Sequence, residues 1–394
     1  MMISMQRKLQ IGFYLCSMLF LFSCVAQEKK VVAQEKAQPT WKPGAHHFEE
    51  YLPQLAGKQV GVVAHHCSLV DEVHLVDTLL SLGVDLAAVF APEHGFRGKA
   101  DAGAKINNER LEALPVFSLY GKNFKPKPSQ LEGVDVVLFD LQDVGARFYT
   151  YVSTLYYVME ACAEQNVELI VLDRPNPNAH RVAGPVLDTA FSSFVGVIPV
   201  PVLYGLTIGE LATMMNDLWM KDKVKLSVVF AEGFQRGELF ELNPKPSPNL
   251  PSLSAIQAYP SLCFFEGTPI SAGRGTQKPF ELYAHPNFVS MDTVRPTSTS
   301  GASKPKFKDK SIPVFYYSAQ GNTGIDYAPL VQARTFFPPK KMFNSFFDLL
   351  AGTDRLRLAI DSGMSAKEIE KVFQPEINVY LGKRMNYLHY SEKK

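Results

Sequence analysis

The 394-residue sequence has only five cysteines, and two of them, Cys16 and Cys24, fall within the first 24 residues. Cys67, Cys162 and Cys263 are then an odd, widely spaced set, which excludes a disulfide framework even in an oxidising compartment. No CxxC or HExxH pattern is present, so a zinc site lacks its usual spacing. No GxGxxG follows the first expected strand, and neither GxxxxGK(S/T) nor a GxSxG elbow occurs. Dinucleotide, nucleotide-phosphate and α/β-hydrolase chemistries thereby lose their main support. An excess charge of one sign is missing too: 40 Lys+Arg against 39 Asp+Glu leave +1, which is no nucleic-acid footprint.

What is present begins with an export signal over residues 1–24: Arg7 and Lys8 form a basic start, and residues 11–22 an apolar core too short to span a bilayer. Leu21-Phe22-Ser23-Cys24 resembles a bacterial lipobox, in which the cysteine is lipidated and anchors the mature chain to a membrane. Cleavage after Ala26 is the alternative. Residues 25–44 are expected as a flexible tether, because VAQEK at 25–29 is echoed at 32–36 with nothing to pack. Beyond it the chain has globular composition, 46% hydrophobic and 20% charged, with enough length for a sizeable core and two domains. Together these features place the protein at the cell envelope, periplasmic or on the outer membrane.

Residues 59–64 form a continuous apolar run, as expected for a strand covered on both faces, and residues 73–82 follow with helical spacing. A strand at 86–90 completes a βαβ opening, so a parallel sheet with right-handed crossovers is the default. Further strands are expected at 115–118, 134–139, 168–172 and 226–230, and helices at 152–163 and 211–218, the latter behind a Thr207/Glu210 capping box. The fold class is therefore α/β: a Rossmann-like, mostly parallel sheet with helices on both faces (45–242), then a smaller α+β domain (243–394). The boundary is placed at residues 243–251, which are too proline-rich for regular structure. In the second part, helices are expected near 341–350, 354–360 and 365–373.

Polar groups collect just past the strands: His65-His66, then Glu93-His94 with Arg97, then Asp140, Gln142 and Asp143, then Asp173, Arg174 and Asn176. Parallel strands deliver such ends to one rim, so these residues can converge on one ligand. Arg147, Tyr149 and Tyr151 add a cation and two rings, suited to a polyol or carboxylate ligand. The second half repeats the theme with Glu266, then Ser271 and Arg274, where Gly273 and Gly275 offer backbone N–H groups to an anion. With no cofactor motif, carboxylate chemistry is left, with Glu93 as general acid and Glu266, Asp143 or Tyr149 as its partner, which is the logic of glycosidases.

Long motifs then occur in order: PEHGFRG (92–98), SLYG (118–121), FDLQDVGARFYTY (139–151), LDRPNP (172–177), PSPN (246–249), EGT (266–268) and SAGRGT (271–276). They resemble the exo-β-N-acetylmuramidases of the NamZ type over nearly all of residues 60–387. The resemblance implies a cofactor-free hydrolase that releases N-acetylmuramic acid from non-reducing ends of peptidoglycan fragments in an interdomain cleft. Glu93 matches the glutamate proposed in that family as the catalytic acid. The lactyl carboxylate of muramic acid needs a cation, for which Arg147, Arg174 and Arg274 are the candidates. One departure stands out: His65-His66-Cys67-Ser68 replaces the family's Asn-x-Thr-Gly turn, which puts that loop's sugar contacts in doubt. It keeps open a non-catalytic muropeptide-binding lipoprotein, and, because several of them are good ligands, His65, His66, His94, Asp140 and Asp143 keep open a metal-dependent hydrolase.

Overall fold

A computed structural model describes residues 41–93, 95–96, 109–111, 114–338 and 340–393. The signal-like segment with Cys24, most of the expected tether, and the candidates His94 and Arg97 lie outside the described residues. Residues 41–44 are packed: Trp41 meets the Phe240 ring at 4.9 Å, and Lys42 exchanges two backbone hydrogen bonds with Glu232.

Seven strands form one sheet: β1 (Val60–Ala64), β2 (Leu86–Ala91), β3 (Glu109–Leu111), β4 (Leu114–Ser118), β5 (Val136–Asp140), β6 (Glu168–Leu172) and β7 (Leu226–Val229). Their order is β7-β6-β5-β1-β2-β4-β3, and all pairs are parallel except β3 with β4. The apolar runs are continuous because both faces are covered. Val60, Val62 and Ala64 join Val136, Leu138, Ile170 and Leu172 in one cluster under helices α1 (Phe48–Leu55) and α2 (Leu75–Ser81). Val63, Val137, Phe139, Leu169 and Val171 point the other way, into a larger core with α3 (Tyr151–Gln165) and α4 (Ile208–Leu218). From β1 the chain moves outward to β2, and from β5 outward to β6, so the order reverses between β1 and β5. Such a reversal opens a crevice at the carboxyl ends. Register pairs Ala64 with Asp140, which sets those two strand ends side by side.

Local signals explain the helix limits. The Thr207/Glu210 capping box is present at α4, with the Thr207 hydroxyl accepting from the Glu210 N–H and the Glu210 carboxylate from the Thr207 N–H. Asn166, at φ 54°, ends α3 in the left-handed conformation asparagine tolerates.

The C-terminal part carries a small antiparallel sheet, β8 (Leu282–Ala284), β9 (Thr293–Val294) and β10 (Ile312–Tyr316), in the order β8-β10-β9. Helices α5 (Leu253–Leu262), α6 (Ser345–Ala351) and α7 (Ala366–Arg384) accompany it. No helix or strand occurs between Val229 and Leu253 among the described residues. Two differences from the sequence reading have a common cause. Helix α5, with Pro260 inside it, was not expected, and α7 continues past Phe373 through Pro375 to Arg384. An interior proline costs a helix about 3 kcal/mol, and tertiary bonds offset it. In α7, Glu376 accepts from the Val186 N–H, Tyr380 donates to the Tyr204 carbonyl and Arg384 to those of Gly205 and Ala179. Among the described residues no helix is long and apolar enough to cross a membrane.

Candidate active site

A cavity of about 480 Å³ opens past the carboxyl ends of the strands, and four of the expected groups line it: Glu93, Tyr149, Glu266 and Arg274. Glu93 follows β2. Its carboxylate accepts a 2.7 Å hydrogen bond from the hydroxyl of Thr150, which belongs to the segment after β5. The backbone carbonyl of Glu93 takes a second, 3.4 Å bond from the Tyr151 phenol. A segment 57 residues further along the chain thus holds this glutamate at the rim.

Tyr149 is buried, and its phenol donates to the Pro246 carbonyl at 2.8 Å, so the proline-rich segment forms part of the same wall. Burial, reinforced by the neighbouring Tyr151, pushes the Tyr149 phenol well above its usual range. The phenol is therefore held neutral where it donates to that carbonyl. Across the cavity, Arg274 Nε meets Glu266 at 2.9 Å and its guanidinium lies 4.9 Å from the Phe280 ring centroid. The two carboxylates have different settings. Thr150 donates to Glu93, and Arg274 is paired with Glu266.

Several lining groups were not singled out from sequence. Thr150 is one, although it lies inside the FDLQDVGARFYTY motif. Tyr120 and Asn249 lie inside SLYG and PSPN and also reach the cavity. Phe124 and Phe194 complete an aromatic wall with Tyr120; their rings stack at 3.9 Å, with Tyr120 5.7 Å from Phe194. Phe194 comes from the loop before residues 201–204, and no periodicity announces it.

The other expected residues among the described ones do not line the cavity. Asp140 and Arg174 form a buried two-pronged ion pair at 2.5 and 2.9 Å, and Arg174 also donates to the Leu69 carbonyl. Arg147 is fully buried, and its guanidinium donates to the carbonyls of Pro185, Val200, Leu350 and Ala351. It ties the sheet side of the fold to α6. Among the described residues that leaves Arg274 as the candidate cation at the cavity. Asp143 accepts from the Gly145 N–H at 2.6 Å and from the Tyr204 phenol, and burial raises its pKa to about 6.

Gly145, at φ 77°, packs so closely that an added Cβ would lie 2.4 Å from the Asn176 side-chain amide. Asn176 in turn donates to the Leu206 carbonyl. Gln142 donates through its side chain to the Asp143 and Pro175 carbonyls. Asp173 accepts from the Gly209 N–H and from the hydroxyls of Thr207 and Tyr390, and burial raises its pKa to about 7. Ser271 is buried and lines a neighbouring hollow of about 350 Å³ that shares Glu266 and Arg274 with the cavity. Gly273 spends its N–H on the Ser271 hydroxyl at 3.3 Å, so that donor is turned inward.

The departure at residues 65–68 also lies outside the cavity lining. His65 receives the Gln142 N–H on Nε2 and meets the Tyr151 phenol through Nδ1 at 3.1 Å. His66 bonds the Lys245 carbonyl at 2.8 Å, and the Cys67 thiol faces the Pro244 and Lys245 carbonyls. Burial pushes that thiol up to about 12. The turn supports the proline-rich wall from below. His65, His66 and Cys67 do bring candidate ligand atoms within 4.8 Å of one another. Both His65 ring nitrogens are nevertheless engaged within the protein, Asp140 is held by Arg174, and Asp143 by Tyr204 and Gly145.

The family pattern "Exo-beta-N-acetylmuramidase NamZ, N-terminal" matches residues 60–254, and its C-terminal counterpart residues 257–390. The chain is 34% identical over 378 residues to the peptidoglycan beta-N-acetylmuramidase NamZ of Bacillus subtilis strain 168, covering 86% of this chain and 89% of that one. A crystal structure of a DUF1343 family protein from Bacteroides fragilis superposes with a TM-score of 0.83 at 36% identity, covering 90% of this chain and all of the other. A second from the same organism gives 0.78 at 27% identity, covering 89% and 99%. Matches to both halves, and a curated relative aligned over most of the chain, show that it belongs to the exo-β-N-acetylmuramidase NamZ family.

Proposed function

We propose that this chain is a glycoside hydrolase that releases N-acetylmuramic acid from the non-reducing ends of peptidoglycan fragments, using Glu93 as general acid. The observation that carries this reading is the meeting of Glu93, Tyr149, Glu266 and Arg274 around one cavity in a chain of this family. Glu93 is the carboxyl to protonate the departing glycosidic oxygen, and Glu266 supplies the second carboxylate that both stereochemical routes need. Arg274 spends Nε on Glu266, and the rest of its planar fork suits the lactyl carboxylate that distinguishes muramic acid from other amino sugars. The rings of Tyr120, Phe124 and Phe194 offer apolar faces to the sugar.

The non-catalytic alternative took its motive from residues 65–68, and those residues lie outside the cavity lining. Anchoring at the cell envelope through lipid on Cys24 is part of the same proposal and rests on the sequence of residues 1–24. Incorporation of labelled fatty acid, lost in Cys24→Ala, tests the anchor. Incubation of the purified protein with peptide-stripped peptidoglycan fragments tests the reaction. Free N-acetylmuramic acid is the expected product, and intact fragments after prolonged incubation would refute it.

A further inference from the structure

A second hollow, of about 360 Å³, lies beside the SAGRGT turn. While Arg274 of that turn lines the main cavity, the next residues, Gly275 to Lys278, form a wall of the hollow. One short loop therefore has a face on each. The opposite wall carries Arg295, Thr297 and Tyr316 from the small antiparallel sheet and the loop beside it.

The chemistry of this hollow differs from that of the cavity. Among the described residues no acidic side chain lines it, so they offer it no general acid. It has instead two exposed cations, Lys278 and Arg295, and an exposed hydroxyl-bearing residue, Thr297. Tyr316 is 55% exposed at the end of β10, and the Lys278 ammonium lies 5.4 Å from its ring centroid. An exposed tyrosine ring costs apolar hydration that a buried one avoids, and carbohydrate C–H faces are the kind of surface that covers such a ring while hydroxyls bond nearby polar groups. Lys278 and Arg295, neither of which forms an ion pair among the described residues, add a preference for carboxylates. The volume falls within the roughly 300–1,000 Å³ of small-ligand sites.

We propose that this hollow is a non-catalytic binding site for a carboxylate-bearing glycan strand, holding the polymer while its end enters the cavity. The assignment rests on the reading of the cavity as a muramidase site, because that substrate is a glycan with a carboxylate on alternate sugars. A holding site solves a problem particular to an end-acting hydrolase. Each cut releases only one sugar, so an enzyme that also grips the strand elsewhere gains effective concentration at the next end.

The experiment uses the full chain carrying Glu93→Gln, so that the probe stays intact, with and without Tyr316→Ala/Arg295→Ala. Both added substitutions are on exposed side chains. Co-sedimentation with peptide-stripped peptidoglycan is compared with co-sedimentation with chitin, an uncharged N-acetylglucosamine polymer. The double substitution is expected to lower peptidoglycan binding about fivefold or more, with little binding to chitin in either case. In the Glu93 background, turnover of a soluble aryl N-acetylmuramide stays within about twofold of the unmodified protein, while sugar release from the polymer falls severalfold. Unchanged sedimentation and unchanged polymer digestion would overturn the proposal. Equal binding to chitin would overturn the assignment to an acidic glycan. Failure of the unmodified protein to turn over the aryl muramide would strike the hydrolase reading alone, because sedimentation reads the hollow directly.

Discussion

The Thr150 hydroxyl donates a 2.7 Å hydrogen bond to the Glu93 carboxylate, joining the loop after β2 to the loop after β5 across the crevice of the sheet. Thr150→Val keeps the shape and removes the donor. Loss of this donor frees the carboxyl from its set position, so kcat/KM for an aryl N-acetylmuramide is expected to fall about 10- to 100-fold, with Tm lowered by a few degrees at most. Steady-state kinetics with a parallel thermal melt reads both.

Arg147 and Arg274 are predicted to separate cleanly. Arg147→Met strands four buried carbonyls and should cost at least about 3 kcal/mol of stability, seen as a large drop in Tm. Arg274→Ala, at the cavity, should leave Tm within a few degrees. It should raise KM for the muramide substrate at least about tenfold, because the cation facing the lactyl carboxylate is gone. Equal effects on stability from the two substitutions would contradict the placement of these arginines.

Stability should depend on pH through two buried carboxyls. Burial raises Asp143 to about 6 and Asp173 to about 7, above the roughly 3.9 of an unfolded aspartate. The folded state therefore binds protons more tightly than the unfolded state. The stability this contributes is fully present below about pH 4 and is lost as pH rises through about 7. Asp173→Asn should flatten the fall in Tm between pH 4 and 7, with other groups' contributions unchanged, and melts of both proteins across that range check it.

Metal removal is predicted to change nothing. His65 spends both ring nitrogens within the protein and Asp140 is paired with Arg174, so prolonged chelation followed by desalting should leave turnover within about twofold. Recovery of activity only on adding back a divalent ion would reverse this reading.

Much of the fold was legible because its signals are local. Strands β1, β2, β5 and β6 are apolar runs bounded by polar residues, and the boundaries of β6 match the sequence reading residue for residue. The Thr207/Glu210 box marked the start of α4 in the same way. The local signal for α7 stops at Phe373, with the breaker Pro375 just beyond, and contacts with the 182–186 and 201–204 segments, far away in sequence, show why the helix continues. The site divides along the same line. Glu93, Glu266 and Arg274 stand out by charge beside glycines, whereas Arg147, Asp140 and Asp173 carry the same charges and are buried as struts. Side-chain type does not distinguish a carboxylate facing a ligand from one holding three backbone loops together. Phe194 and Thr150 reach the cavity only through tertiary placement.

The central claim is that Glu93 delivers the proton to the leaving sugar. Glu93→Gln keeps the side chain's size and its contact with Thr150 while removing the acid. The most direct measurement is kcat for a soluble disaccharide whose leaving group is an unactivated sugar, with Tm recorded in parallel. The account predicts a loss of about 100- to 10,000-fold at unchanged Tm. A Glu93→Gln protein that folds normally and keeps more than about a tenth of the parent's rate would contradict it.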